Sequence, residues 1–73
     1  MEFFKDRVKS LRIEKGMTLK AMGEYMGITM RAYQFYEEGK RFPDFPGLIK
    51  LADFFDVSLD YLVGRSNHRE REP

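Results

Sequence analysis

Five residues within nine positions carry groups suited to reading the edge of a base pair: Met30, Arg31, Gln34, Phe35 and Glu38. On a helical wheel at about 100° per residue they share one side. Tyr33 and Tyr36 point to the other, with Ala32 and Glu37 on its flanks. Arg31 presents a donor fork that matches O6 and N7 of guanine, with a phosphate contact as its alternative. Gln34 matches the N6 and N7 pair of adenine, with a solvated polar side chain as its alternative. Met30 and Phe35 have no hydrogen bond to offer but suit a thymine methyl group. For Phe35 the competing reading is a contact with another protein. Lys40 and Arg41, just beyond the stretch, suit phosphates, contacts that add affinity without sequence information. Their plainer reading is a solvated pair of charges.

Two short helices must position these groups. Thr18 is the N-cap of a helix running to about Met26, in which Met22 and Met26 repeat at helical spacing before Gly27 stops it. Thr29 caps the next helix almost at once, and Gly39 ends it. Two features of the first of these helices depart from ideal chemistry. Leu19 stands where a polar first residue is expected, and Gly23 in the interior costs about 1 kcal/mol relative to Ala. The glycine predicts close packing against the following helix. Ala21 in place of Glu or Gln leaves Thr18 to cap unaided. Tyr33 and Tyr36 are read as core, because single-strand stacking would need them outward.

The rest of the chain supplies support. Residues 2 to 15 form a first helix with Phe4, Val8 and Leu11 on one stripe and Arg12 at its border, either solvated or reaching over the core edge. Phe3 is spare core or a small contact surface. After Arg41 a loop of prolines and phenylalanines leads to Asp44, the N-cap of a helix over residues 45 to 55, with Pro46 tolerated in its first turn. Leu48, Leu51, Ala52 and Phe55 form its buried stripe, and Val57 packs in the connection. Ser58 caps a short fifth helix, residues 59 to 63, with Leu62 inward and Gly64 as its stop. Tyr61 and Phe54 are candidates for a dimer surface or for further core. Residues 66 to 73, charged and without an apolar side chain, are expected to be disordered. The expectation is an all-α, compact five-helix domain over residues 1–65 with a tail over 66–73.

Composition bounds the function. At 73 residues with 42% hydrophobic content the chain is one small domain, near the lower limit for a self-sufficient core, so idealised helix packing or a dimer is expected. It has no cysteine and one histidine, His68, which leaves no disulfide framework and no convincing metal ligand set. No apolar run approaches the roughly 20 residues of a membrane span, and no signal peptide is read, so a cytoplasmic location is expected. Ser10, Ser58 and Ser66 have no histidine partner besides His68, and no carboxylate pair sits on apolar surroundings. No enzyme activity, cofactor, metal or small-molecule substrate is expected. Net charge is +1, but residues 1 to 41 hold nine Lys or Arg against six Asp or Glu, while residues 42 to 73 hold four against six. The basic half coincides with the candidate reading unit.

The succession GMT, MGIT, RAYQFYEEGKRFP and LIKLADFFDVSLDYLVGR resembles the small Xre-like helix-turn-helix repressors, the phage Cro and lysogeny-repressor type, from Phe4 to Arg65. The resemblance implies five helices, double-stranded DNA as the partner of the second and third, and a homodimer on an inverted repeat. It implies Thr29 at the start of the recognition helix, base-facing roles for Met30, Arg31, Gln34 and Phe35, and a backbone-facing loop at Lys40 and Arg41. It also implies that Arg12 and Glu37 form an ion pair tying the first helix to the third. Leu19 stands where the family commonly has a phosphate-touching Gln, so that contact should be missing. A protein-interaction module of the same fold, an adaptor or antitoxin-like partner, is the rival reading, supported by Leu19, Phe35 and the near-neutral charge.

Overall fold

The computed structural model describes residues 2–71, and among them there are five helices and no strand: α1 (Glu2–Glu14), α2 (Leu19–Met26), α3 (Met30–Glu37), α4 (Phe45–Phe55) and α5 (Leu59–Leu62). α1 and α5 each end one residue earlier than the sequence predicts. Each helix after the first begins with a side-chain cap. Thr18, Thr29, Asp44 and Ser58 accept hydrogen bonds from the amides of Ala21, Ala32, Gly47 and Tyr61 at 2.9–3.0 Å. Four orphan N-terminal donors thereby gain partners, which stabilises each helix by about 1 kcal/mol.

One side chain or more from every helix meets in a single core. Phe4, Val8 and Leu11 of α1, Met22 of α2, Tyr33 of α3, Leu51, Ala52 and Phe55 of α4, and Leu62 of α5 are buried together with Val57. Fully burying an apolar side chain of this size stabilises by about 1.5–3 kcal/mol, so the apolar stripes outweigh the weak propensity of these short helices. Leu19, which stands where a polar first residue is expected, is half-buried and packs against the core. Phe54 joins Phe55 and Tyr25 in an aromatic row, with ring centres 5.2 and 4.3 Å apart. No helix among the described residues is long and apolar enough to cross a membrane.

Residues 66–71, expected to be disordered, fold back over α1, α4 and α5, while residues 72 and 73 of that segment lie outside the described residues. Their attachment is polar, which is why apolar periodicity gives no sign of it. Arg7 donates to the carbonyls of Tyr61 and Ser66 at 2.6 and 2.8 Å and to Asn67 Oδ1 at 2.7 Å. Its guanidinium carbon also sits 3.9 Å from the centre of the Tyr61 ring. The Ser58 amide donates to the Arg69 carbonyl at 2.8 Å, Arg69 pairs with Glu14 at 2.6 Å, and Arg71 pairs with Asp53 at 2.6 Å.

The hydrogen bond from Arg69, followed by its charge, holds the Glu14 carboxyl below the ordinary carboxylate range. A lowered carboxyl adds to the attachment above its ordinary value and loses that contribution as pH falls through the lowered one. Arg7→Ala is therefore expected to speed amide exchange in residues 66–69 while leaving core amides protected, and acidification is expected to act in the same direction. Hydrogen exchange followed residue by residue at neutral and acid pH measures both.

Candidate nucleic-acid interface

The turn between α2 and α3 is fixed by close backbone contact. A Cβ at Gly23 would stand 3.0 Å from the Met30 amide nitrogen and 3.1 Å from both the Met30 Cα and the Ile28 carbonyl oxygen. Only a hydrogen fits there without a shift, so the start of α3 lies directly on α2. The amides of Gly27 and Ile28 return to the carbonyls of Glu24 and Gly23 at 3.1 and 2.9 Å, which closes the end of α2 and turns the chain into the Thr29 cap.

Tyr33 anchors α3 from below. It is fully buried and meets Tyr36 edge-on at 5.9 Å, and Tyr36 in turn meets Phe4 at 6.4 Å. Its hydroxyl is buried beside the Glu37 carboxylate, close enough to feel it but outside full hydrogen-bond geometry. Burial first, and the Glu37 carboxylate second, push this phenol's ionisation far above its ordinary range.

Glu37, on the flank of the inner face, turns towards α1. Arg12 Nε donates to its Oε2 at 2.7 Å and Arg12 Nη2 to its Oε1 at 3.1 Å, a two-point pairing across 25 residues. Arg12 Nη1 also donates to the Met17 carbonyl at 2.9 Å. The two side chains are only 14% and 6% exposed. Hydrogen bonding to Glu37 raises the Arg12 pKa further, against the opposing effect of burial. One guanidinium thus joins the end of α1, the loop into α2, and the last turn of α3.

On the outer face Met30 is 50% exposed, Arg31 and Glu38 are exposed, and Gln34 and Phe35 are half-buried. Phe35 is the centre of a basic cluster. The guanidinium carbons of Arg31 and Arg41 lie 5.0 and 5.6 Å from its ring centre, and Lys40 Nζ lies 5.9 Å from it, all within cation–π range.

Gly39 brings the two later cations back to the ring. Its φ of +74° reverses the chain, and the amides of Lys40 and Arg41 both donate to the Phe35 carbonyl, at 3.0 and 3.3 Å. Lys40 also meets Glu38 at 3.3 Å, an exposed pair worth little by itself. The structure thus gathers Arg31, Lys40 and Arg41 around Phe35, leaves Met30 exposed at the start of α3 and Thr29 as its cap, keeps Gln34 half-buried within the helix, and pairs Arg12 with Glu37 at its end. Sequence reasoning missed the ring of cations, although Arg31 one turn before Phe35 and a glycine before Lys40 and Arg41 carry the signal. It also missed the Glu38–Lys40 pair and the clasp made by Arg7.

Among the described residues no group of three or more His, Cys, Asp or Glu side chains is placed to hold a metal ion. A hollow of about 560 Å³ between α4, α5 and residues 66–71 shares no residue with the α3 face.

A capped helix, a close glycine turn and a second helix with its outer face open define a helix-turn-helix unit. Residues 8–62 match the family model described as Helix-turn-helix, and the chain belongs to that family, in its Xre-like form. It is 43% identical over 67 residues to the uncharacterized HTH-type transcriptional regulator YqaE of Bacillus subtilis (strain 168), covering 90% of this chain and 58% of that protein. It is 37% identical over 68 residues to the HTH-type transcriptional regulator AnsR of the same organism, covering 93% and 59%. It is 34% identical over 61 residues to the cryptic phage CTXphi transcriptional repressor RstR of Vibrio cholerae, covering 84% and 54%. The chain therefore spans little more than half the length of these relatives. A crystal structure of a transcriptional regulator from Listeria innocua superposes with a TM-score of 0.82 at 29% identity, covering 94% of this chain and 64% of that one.

Removing one partner of a nearly buried pair strands the other charge. Arg12→Met is expected to destabilise by about 3 kcal/mol, whereas Arg12→Met with Glu37→Leu regains most of that loss. Urea denaturation of the two single variants and the double variant measures the coupling.

Tyr33→Phe removes a buried hydroxyl whose polar neighbour, the Glu37 carboxylate, lies outside full hydrogen-bond geometry, and its effect on stability at neutral pH is expected to stay within about 1 kcal/mol. The raised phenol pKa fixes the sign in alkali. Its contribution is complete below the ordinary value of 10.0 and is lost as pH rises past it, because only the unfolded chain ionises readily. Thermal melts across that range are expected to fall more steeply for the native chain than for Tyr33→Phe.

Proposed function

We propose that this chain is the sequence-specific, double-stranded-DNA-binding unit of a transcriptional regulator, a repressor that occupies its operator as a homodimer on an inverted repeat in the cytoplasm. The observation that carries this reading is the gathering of Arg31, Lys40 and Arg41 around Phe35 on the open side of α3, in a chain whose net charge is only +1. α3 enters the major groove with Thr29 at its start. Arg31 pairs with O6 and N7 of a guanine, and Gln34 with N6 and N7 of an adenine. Lys40 and Arg41, carried by the loop after Gly39, neutralise phosphates and fix the register. Arg12 and Glu37 orient the reading helix. The two α3 helices of the dimer address major grooves about 34 Å apart.

Thr29 supports this arrangement by leaving its hydroxyl engaged with the Ala32 amide, so the first turn of α3 is rigid where it meets the bases. The rival reading, a protein-interaction module, loses one of its supports because Leu19 packs against the core.

Selection of bound duplexes from a random library, at low and near-physiological salt, tests the reading. An enriched inverted repeat with half-sites one helical turn apart is the expected result. With that operator, Arg31→Ala is expected to relax preference at one base pair, by about 1–3 kcal/mol. Lys40→Ala is expected to weaken all sequences alike and to reduce the salt slope by about one. No retention at low salt contradicts DNA binding, and equal losses on every sequence for both variants contradict the division of roles.

A further inference from the structure

We infer that the surface where α2 meets α4 is a docking site for an acidic, amphipathic peptide segment of another protein. The inference is independent of the DNA-binding reading, because this surface shares no residue with the cations gathered around Phe35. Two aromatic rings form its centre. Tyr25, 36% exposed, and the half-buried Phe54 stand with ring centres 4.3 Å apart. Each ring carries its own lysine: Lys15 Nζ lies 5.0 Å from the centre of Phe54, and Lys50 Nζ lies 5.0 Å from the centre of Tyr25. Beside them, between the end of α2 and the first turns of α4, opens a hollow of about 400 Å³ lined by Met26, Ile28, Tyr36, Pro46 and Gly47. Lys50 belongs to the hollow as well as to the ring pair, so the two features form one continuous surface.

Charge decides what fits there. Both lysines are exposed, and among the described residues neither stands within ion-pair distance of a carboxylate. Two acids that adjoin the patch in sequence are engaged elsewhere. Glu14, next to Lys15, pairs with Arg69, and Asp53, next to Phe54, pairs with Arg71, so the fold-back of residues 66–71 takes up anions that could have neutralised the patch. Glu24 adjoins Tyr25 in sequence but pairs with neither lysine. Asp44, which also lines the hollow, accepts a hydrogen bond from the Gly47 amide at 2.9 Å as the cap of α4. Two rings and a hollow suit apolar side chains, and two ammonium groups without a counter-charge suit carboxylates. A segment with an apolar anchor between acidic residues supplies both. A duplex backbone supplies phosphates to the lysines but nothing apolar to cover the rings or enter the hollow.

Selection of short random peptides displayed on phage against the immobilised chain tests the inference. Enriched peptides are expected to carry Asp or Glu on both sides of Leu, Phe or Trp. Such a peptide, titrated into the isotope-labelled chain, is expected to shift the amide resonances around Tyr25 and Lys50 and to leave those of Arg31, Lys40 and Arg41 in place. Lys15→Glu with Lys50→Glu is expected to weaken it about tenfold, and exchanging the peptide's acids for lysines is expected to restore binding to that double variant. Tyr25→Ala is expected to weaken the native peptide at least about fivefold. The three positions lie outside the buried core, and circular dichroism verifies that the helices are intact. Absence of enrichment, enriched peptides without acidic residues, resonance shifts confined to other surfaces, or a double variant that binds the peptide as the native chain does overturns the inference. Loss of duplex binding in the double variant assigns the lysines to the DNA backbone, and self-association abolished by Tyr25→Ala assigns the surface to a second copy of this chain; either overturns it. A duplex library that yields no enriched operator overturns the DNA-binding reading and leaves the peptide result standing.

Discussion

The pairing of Arg12 with Glu37 is the constraint on which the rest of this domain depends. α3 has eight residues, too few to hold a helix or an orientation by itself in water. Tyr33 fixes its depth, because a fully buried ring between α1 and α2 leaves no slack along that direction. A single buried anchor still leaves rotation about the helix axis open. The two-point contact from Arg12 closes that freedom at the last turn, and the backbone of Gly23 closes it at the first. A near-buried ion pair is a poor source of net stability, because desolvation offsets most of the attraction. Its value lies in direction: a planar fork on a carboxylate accepts few geometries.

That same pair removes charges from the outer surface. Arg12 is occupied by Glu37, Arg69 by Glu14, and Arg71 by Asp53, so three of the cations serve intramolecular contacts. The net charge of +1 therefore says little about the field any one face presents. Arg31, Lys40 and Arg41 converge on one ring, and Glu38 beside Lys40 is the anion that moderates them. A domain can be nearly neutral overall and still offer a basic face, provided its acids are placed where its other bases need them.

Much of the fold was legible because its signals are local. Thr18, Thr29, Asp44 and Ser58 cap from three residues away, and the apolar stripes of α1 and α4 repeat at helical spacing. Gly23 was readable as a point of close approach for a similar reason, since a glycine inside a short helix has few other uses. The contacts that sequence reasoning missed are polar and distant. Arg7 reaches carbonyls 54 and 59 residues away, and neither end of such a contact leaves a periodic trace. The fate of residues 66–71 followed from those contacts, so a composition without apolar side chains pointed the wrong way. Arg12 was visible only as a residue at the edge of its stripe, and its partner was indicated by family resemblance rather than by any pattern in the chain. The outer face of α3 was legible as a list of residues, but the half-burial of Phe35 was not, because Lys40 and Arg41 reach its ring from beyond the helix.

In the proposed complex Phe35 links the cations that meet the backbone to the face that meets the bases. Lys40 and Arg41 stand in a loop whose geometry is set by Gly39 and by two hydrogen bonds to the Phe35 carbonyl, and their charges rest on the Phe35 ring. In the proposed complex these cations are drawn towards phosphates, and their movement releases or reorients the ring beneath them. Conversely, the ring and its carbonyl hold the loop that carries these cations. The two kinds of contact, one indifferent to sequence and one dependent on it, therefore share a single mechanical unit. Base preference in the proposed complex should respond to salt, because weakening the phosphate contacts returns the cations to the ring.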